Sequence, residues 1–374
     1  MADFLALCSL GTEPILRKEL KHLGVKTQGE SAAGRVFFSS DWEGAYRTLL
    51  HSRCADRLLF LPRIFSAWNF EELFQALGAI PWEDYFSPKQ GLVIAQIRSI
   101  KSKLTSSPVL QKTAAKAVYS RLTHAWKTDR LLETENSAGL RIFIQNNKVY
   151  PGIDLSGKGL HKRGFKQEKG QAPLKETLAA ALLLSLGWRR KTPLWDPFCG
   201  SGTFLLEALL YAQNVPPGID RPMALGSLKL FDPKLWKKVL DEAHEKIHYQ
   251  GQFRIAGSDK DPKMLPLAQN NLNRIDPDHG ITLRTAAFDR SSPAPFPRGV
   301  LVCNPPYGLR LQDQAAAEAI HSEIGHWLKK HPSWGAGIVT ALPKIPGLIP
   351  GREIERKKIV AGALDLYFFV RRSS

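Results

Sequence analysis

The 374-residue sequence predicts an α/β protein in which a mostly parallel, doubly wound sheet follows two small α+β modules. Three observations predict it. From about residue 172 onward, short apolar runs alternate with helical stretches, and right-handed crossovers wind such a pattern into a parallel sheet. One of those runs leads straight into a Gly-Ser-Gly turn, Gly200 to Gly202, at the strand end where sheets of this kind bind ligands. Before a segment rich in glycine and cations at 156–171, shorter elements alternate in a different style.

Taken in order, residues 4–9 read as a strand and 13–23 as an amphipathic helix ended by Gly24. A strand at 35–38 follows, then Asp41 as the N-cap of a helix reaching residue 50, then a strand at 57–64. After Trp68 the pattern restarts with a helix near 71–77, a strand at 92–98 and a long helix at 109–124. Two strands, 141–145 and 149–155, are joined by Asn146-Asn147, a hairpin signal. The expected division is therefore 1–65, 66–155, a linker at 156–171 and a third domain at 172–374. In that domain a helix at 173–186 and a strand at 193–196 precede a helix beginning at Ser201. An insertion at 213–249, helical from residue 233, separates it from the strand at 253–258. Helix 262–273, strands 281–285 and 300–303, helix 313–329 and strands 337–341 and 364–371 complete the pattern. Arg356, Lys357 and Lys358 read as an exposed turn or a phosphate contact. Trp42, Trp68, Trp82, Trp126 and Trp236 read as packing residues.

The formal charge is +17, and it is localised: residues 101–200 carry 18 basic against 7 acidic side chains, whereas residues 1–100 carry 11 of each. A concentrated positive field suits a polyanion whose phosphates it neutralises, so nucleic acid is the expected partner. No apolar run approaches the roughly 18 to 20 residues of a membrane helix, and the start lacks a signal-peptide pattern, so a cytoplasmic protein is expected. Cys8, Cys54, Cys199 and Cys303 form no CxxC pair and the ten histidines form no HExxH, so neither metal nor disulfide framework is expected.

Two stretches carry chemistry. Asp196-Pro197-Phe198-Cys199-Gly200-Ser201-Gly202-Thr203 is a strand end, a glycine turn and a helix start, but it matches neither GxxxxGK[ST] nor GxGxxG. Its Asp196 would repel a pyrophosphate and accept from an amino or hydroxyl group. A ligand with a carboxylate, an ammonium and a ribose fits, and S-adenosylmethionine is one. Asp259, ending the next strand, can accept from ribose hydroxyls; Asp261 reads as a helix cap; Phe288 and Asp289 can flank an adenine. The second stretch, Asn304-Pro305-Pro306-Tyr307, follows the apolar run 300–303. Prolines keep carbonyl oxygens out of strand pairing. If the Asn304 side chain and the Pro305 carbonyl accept the hydrogens of an exocyclic amine, its lone pair turns toward an electrophile. Tyr307 offers a face for an extruded base.

Asp196–Thr203 with Asn304-Pro305-Pro306-Tyr307-Gly308 resembles the amino-methyltransferase branch of the Rossmann-like S-adenosylmethionine methyltransferases. Residues 154–165, 172–176 and 362–364 are similar to the THUMP-domain RNA guanine-N2 methyltransferases, in particular the N2-methylguanine-forming part of the bacterial 23S ribosomal RNA enzymes. That resemblance implies a ferredoxin-like module at 1–65, a THUMP RNA-binding domain at 66–155 and a catalytic domain at 172–374. It implies that Asp196, Pro197, Phe198, Gly200, Ser201 and Gly202 hold the methionine part of the cofactor, Asp259 its ribose, and Phe288 and Asp289 its adenine. Asn304, Pro305, Pro306 and Tyr307 would hold the guanine amine. Lys101, Lys103, Lys112, Lys116, Arg121 and Lys127 fall in the THUMP region, and His161, Lys162 and Arg163 in a stretch expected to touch RNA. Since the sequence stops at Ser374, the second, 7-methylguanine-forming domain of some relatives is not expected here. Rival readings are tRNA guanine, adenine N6 or a protein glutamine amide as acceptor, and a non-catalytic RNA-binding or ribosome-assembly factor.

Overall fold

The computed structural model describes the chain except residues 30–32, 90, 132–137, 166–173, 250, 307–313, 346–353, 363 and 373–374. Its first half runs β1 (Ala2–Leu7), α1 (Glu13–His22), β2 (Lys26–Thr27), β3 (Arg35–Ser40), α2 (Trp42–His51), β4 (Arg57–Leu61), β5 (Phe65–Ser66), α3 (Phe70–Gly78), β6 (Leu92–Ile100), α4 (Ser107–Trp126), β7 (Ala138–Gln145) and β8 (Lys148–Asp154). Local chemistry explains the joints. Asp41 caps α2 by accepting the Gly44 N–H at 2.8 Å. Asn146 and Asn147 both take positive φ, 51° and 61°, the backbone a two-residue hairpin between β7 and β8 requires.

The two expected modules share one sheet. Its order is β2-β3-β1-β4-β8-β7-β6, with β4 pairing β8 across the expected boundary and β5 extending the same edge of β8. Side chains of α1 to α4 and the inward face of these strands form one core around Phe4, Phe38, Tyr46, Trp82 and Leu110. The opposite face curls so strongly that Arg35 on β3 donates to Gln145 on β7 at 2.7 Å, and Phe37 meets Tyr150 on β8 with ring centroids 4.9 Å apart. Leu5, Leu59, Leu61 and Phe143 are buried in that fold of the sheet.

The second half comprises α5 (Glu176–Ser185), β9 (Leu194–Asp196), α6 (Thr203–Ala212), α7 (Pro233–His244), β10 (Ile255–Asp259), α8 (Met264–Asn273), β11 (Thr282–Thr285), β12 (Gly299–Cys303), α9 (Gln314–Lys330), β13 (Trp334–Thr340), β14 (Ile354–Ala361) and β15 (Leu364–Arg371). The sheet order β11-β10-β9-β12-β13-β15-β14 places β9 between β10 and β12, all parallel, while β15 runs antiparallel to β13. The direction of winding reverses at β9, so the ends of β9 and β12 open on the crevice where such sheets bind ligands. β14 corrects the expected turn at Arg356, Lys357 and Lys358: these residues lie in an edge strand paired to β15. Among the described residues no helix is long and apolar enough to cross a membrane.

The insertion is a clasp. Its Leu225, Leu228, Val239 and Ala243 belong to the core of the first half. Tyr46 on α2 donates its hydroxyl to the Leu230 carbonyl at 3.2 Å and accepts the Asp232 N–H at 2.8 Å, and Lys238 on α7 pairs with Glu43 at 2.8 Å. Further contacts join the halves, among them the Val360 N–H donating to the Leu10 carbonyl at 3.0 Å and Thr177 donating to Asp56 at 2.5 Å.

Candidate active site

The glycine turn leaves β9 and enters α6 under constraint from every side. Gly200 and Gly202 have φ of +51° and +85°, a backbone that side chains with a Cβ rarely adopt. The Phe198 N–H donates to Asp196 Oδ1 at 3.0 Å, the Cys199 N–H to the Ser258 carbonyl at 2.9 Å, and the Gly200 N–H to Asp259 Oδ2 at 2.9 Å. Asn271, fully buried on α8, donates to the Ser201 carbonyl at 3.1 Å. Sequence reasoning missed Asn271; an amide at an inward position of a predicted helix was the available signal. Thr203 opens α6, so the N-terminus of that helix adjoins this loop.

Asp196 is 2 % exposed, and burial pushes its carboxyl up to about 8 against the pull of the Phe198 N–H, with the Asp259 charge adding to the rise. A buried carboxylate without a cationic partner is costly, and a ligand bearing an ammonium supplies that partner. Beside it stands an aromatic wall: Phe288 lies 5.6 Å from Trp195, 5.5 Å from Phe198 and 6.1 Å from Trp327. The loop after Phe288 is tied to α9. Arg290 grips Glu323, whose carboxyl is held down to about 2, and the Trp327 indole donates to the Ser292 carbonyl at 2.8 Å.

At the end of β12, Asn304 presents a side-chain oxygen that is buried and has no hydrogen-bond partner among the described residues. Such an orphan acceptor costs about 1–3 kcal/mol unless a donor arrives. Pro305 is buried and Pro306 exposed; Tyr307 lies outside the described residues. Cys199 and Cys303 are buried, and burial raises both thiols above their ordinary range.

Several expected residues fall elsewhere. Arg163 is 3 % exposed: its Nε donates to Glu207 on α6 at 3.0 Å and its Nη2 to the Arg53 carbonyl at 2.5 Å. It joins the two halves of the molecule and cannot reach RNA. Asp289 is exposed and its carboxylate is engaged by the Ser291 N–H at 2.7 Å and hydroxyl at 2.6 Å, which stabilises the turn after Phe288. Asp261 accepts the Lys263 N–H at 3.0 Å just before α8. His161 is half-buried beside Gly159, and burial lowers its imidazole to about 4; Lys162 is exposed. Lys101, Lys103, Lys112, Lys116 and Lys127 are exposed, but Lys103 precedes α4 and Lys127 caps its far end, roughly 30 Å away at 1.5 Å per residue. Arg121 is held by Glu83 at 3.0 Å. Among the described residues no three His, Cys, Asp or Glu side chains gather as for a metal.

Comparison with known proteins accounts for this geometry. A family model described as the RMKL-like methyltransferase domain matches residues 163–368, more than half of the chain. The chain belongs to the RMKL-like methyltransferase family. A model of the RlmL ferredoxin-like domain matches residues 3–59 of this RMKL-like protein. The chain is 32 % identical over 368 residues to YpsC of Bacillus subtilis, whose name carries RNA methyltransferase as an inferred activity, covering 98 % of this chain and 94 % of that one. It is 35 % identical over 337 residues to the ribosomal RNA large subunit methyltransferase K/L of Aliivibrio salmonicida, covering 88 % of this chain but 47 % of that protein. It thus spans about half the length of the K/L relatives. Among solved structures, SMU.472, an inferred methyltransferase in complex with SAH, superposes with a TM-score of 0.89 at 31 % identity, over 100 % of this chain and 98 % of that one. The RMKL-like half is a Rossmann-like methyltransferase fold, with the glycine turn and Asn304 at adjacent strand ends.

Proposed function

We propose that the protein transfers the methyl group of S-adenosylmethionine to the exocyclic N2 amine of a guanine in RNA, with large-subunit ribosomal RNA as the first substrate to test. The observation that carries this reading is the orphan oxygen of Asn304, a buried acceptor waiting for a donor at the strand end next to the glycine turn. Asp196, Gly200, Ser201, Gly202 and Asp259 would hold the cofactor, with Phe198 and Phe288 along its aromatic side. The fit rests on the buried Asp196, which no cation pairs among the described residues, and on a glycine backbone that lets a ligand approach closely.

When bound, the cofactor supplies an electrophilic methyl group on a sulfonium. Asn304 Oδ1 accepts one amine N–H, and the Pro305 carbonyl accepts the other. Both acceptors hold the nitrogen with its lone pair aimed along the line of attack. Once methylated, the amine nitrogen held by Asn304 and Pro305 would lose its extra proton to water, so no general base is required first. Tyr307 is placed in this reading as the surface on which the base stacks. The names of the ribosomal relatives, the charge surplus in residues 101–200, and the exposure of Lys101, Lys103, Lys112, Lys116 and Lys127 support RNA as the partner and residues 66–155 as a THUMP domain.

Incubation with methyl-labelled cofactor and ribosomal RNA, tRNA or a release factor, followed by nucleoside mass spectrometry, tests it. N2-methylguanine in the RNA is the expected product. Label in N6-methyladenine, in protein, or nowhere would overturn the assignment.

A further inference from the structure

We infer that the end of the first-half sheet where Trp68 meets the Lys101–Lys103 loop is a docking surface for unpaired RNA, with Trp68 stacking on a base. The inference rests on the reading that the substrate is RNA. It adds where an unpaired segment is held, away from the catalytic crevice.

Trp68 belongs to none of the hydrophobic clusters of the described residues; it is 49 % exposed, and it corrects the expectation that it packs. This half-exposed indole differs from an ordinary surface apolar residue because the backbone leading into it is hydrogen-bonded to a turn and loop that carry lysines. Ser66 pairs with Lys148, and the Ala67 N–H donates to the Asn147 carbonyl at 2.9 Å, which sets the chain leading into Trp68 beside the hairpin turn. The same turn is knit to the loop after β6. The Lys103 N–H donates to Asn147 Oδ1 at 2.8 Å, and the Asn147 N–H donates to Ser102 Oγ at 2.9 Å. Lys101 sits at φ +49°, a left-handed conformation that a lysine adopts only when its surroundings impose it.

The result is an edge carrying one exposed indole and three exposed lysines, Lys101, Lys103 and Lys148, the last with its Nζ 5.9 Å from the centre of the Tyr150 ring. Glu71 and Glu72 open the following helix; the Glu72 carboxylate is occupied by the Trp68 N–H and the Asn69 amide, and that of Glu71 accepts from the Gln75 amide at 2.7 Å. A flat π-face amid fixed cations is what single-stranded nucleic acid binds, by stacking and phosphate neutralisation. A duplex hides its base faces and lacks the first contribution.

The test uses the full chain and fluorescence anisotropy with a labelled 15-nucleotide single-stranded RNA and a blunt RNA duplex. Trp68→Ala is expected to weaken single-strand binding by about 5- to 100-fold and leave the duplex unchanged, while Trp68→Phe retains most of the affinity. Changing Lys101, Lys103 and Lys148 together to Glu should reduce the salt slope by about 2, at roughly 0.7 per phosphate contact. Calorimetry with S-adenosylhomocysteine should be unaltered in each variant, which excludes misfolding. Wild-type protein that binds and methylates RNA while Trp68→Ala binds equally well overturns the surface alone. Wild-type protein that binds neither RNA overturns the surface and the proposed substrate together. A dimer in ultracentrifugation that Trp68→Ala dissolves assigns the face to a second copy and overturns the proposal.

Discussion

If Asp196 holds the ammonium of the cofactor as proposed, cofactor binding is a proton-coupled event. Its carboxyl goes from an ordinary 3.8 to about 8 in the folded protein. Between those values the native state holds a proton that the unfolded chain has lost, so stability falls as pH rises from about 4 to 8 and is flat above. At roughly 1.4 kcal/mol per unit, the full cost is on the order of 6 kcal/mol. In the proposed reading, pairing Asp196 with the ammonium of the ligand would eject that proton. The dissociation constant for S-adenosylhomocysteine should therefore fall about tenfold from pH 6 to pH 7, about fivefold more by pH 8, and level off above. Calorimetry in two buffers of different protonation enthalpy should count close to one proton released per ligand at pH 6.5. Asp196→Asn keeps the acceptor for the Phe198 N–H but cannot ionise, so its affinity should be flat with pH, about tenfold or more weaker at pH 8, and its ligand-free form should melt higher at that pH. A wild-type affinity that is flat from pH 6 to 8 with no proton released, or a variant with an unchanged pH profile, would refute the reasoning.

Asn304→Ala removes the orphan acceptor and should lower kcat by about 100-fold or more while S-adenosylhomocysteine affinity stays within threefold; unaltered turnover in a single-turnover assay would remove Asn304 from the chemistry. Arg163→Leu leaves Glu207 buried without its partner and should cost about 3–5 kcal/mol in urea unfolding. The double variant with Glu207→Leu should recover part of that loss, and strict additivity of the two would show that they do not interact. At Gly257 an added Cβ would lie 2.5 Å from Leu205 and 3.3 Å from Cys199 Cβ, so Gly257→Ala should cost about 1–3 kcal/mol and weaken cofactor binding. A melting temperature and ligand affinity equal to wild type would contradict that packing.

Much of the architecture was legible because its signals are local. Asp41 caps the helix that begins at the next residue, Asn146-Asn147 turns the hairpin, and the strand ends at Asp196 and Cys303 open on the two motifs. What could not be read depends on partners distant in the chain. Arg163 looks like an RNA contact until Glu207, 44 residues on, is seen buried against it. The cations of Arg356, Lys357 and Lys358 suggest a turn, but charge on an edge strand is a common way to prevent a further strand from adding to it. The modules at 1–65 and 66–155 look separable because nothing near residue 65 reveals that β4 will pair with β8. Asn271 is one of several amides on its helix, and its hydrogen bond to the Ser201 carbonyl, 70 residues away in sequence, is invisible to local reading.

The clasp at residues 213–249 imposes an order on biosynthesis. Leu225, Val239 and Ala243 complete the core around Tyr46 and Phe38, so the amino-terminal half emerges from the ribosome with an apolar surface that stays wet until about ninety further residues have been made. Domains usually close one after another during synthesis. Here closure of the first half waits for the chain to enter the second, and a fragment cut at residue 155 should be sticky and short-lived.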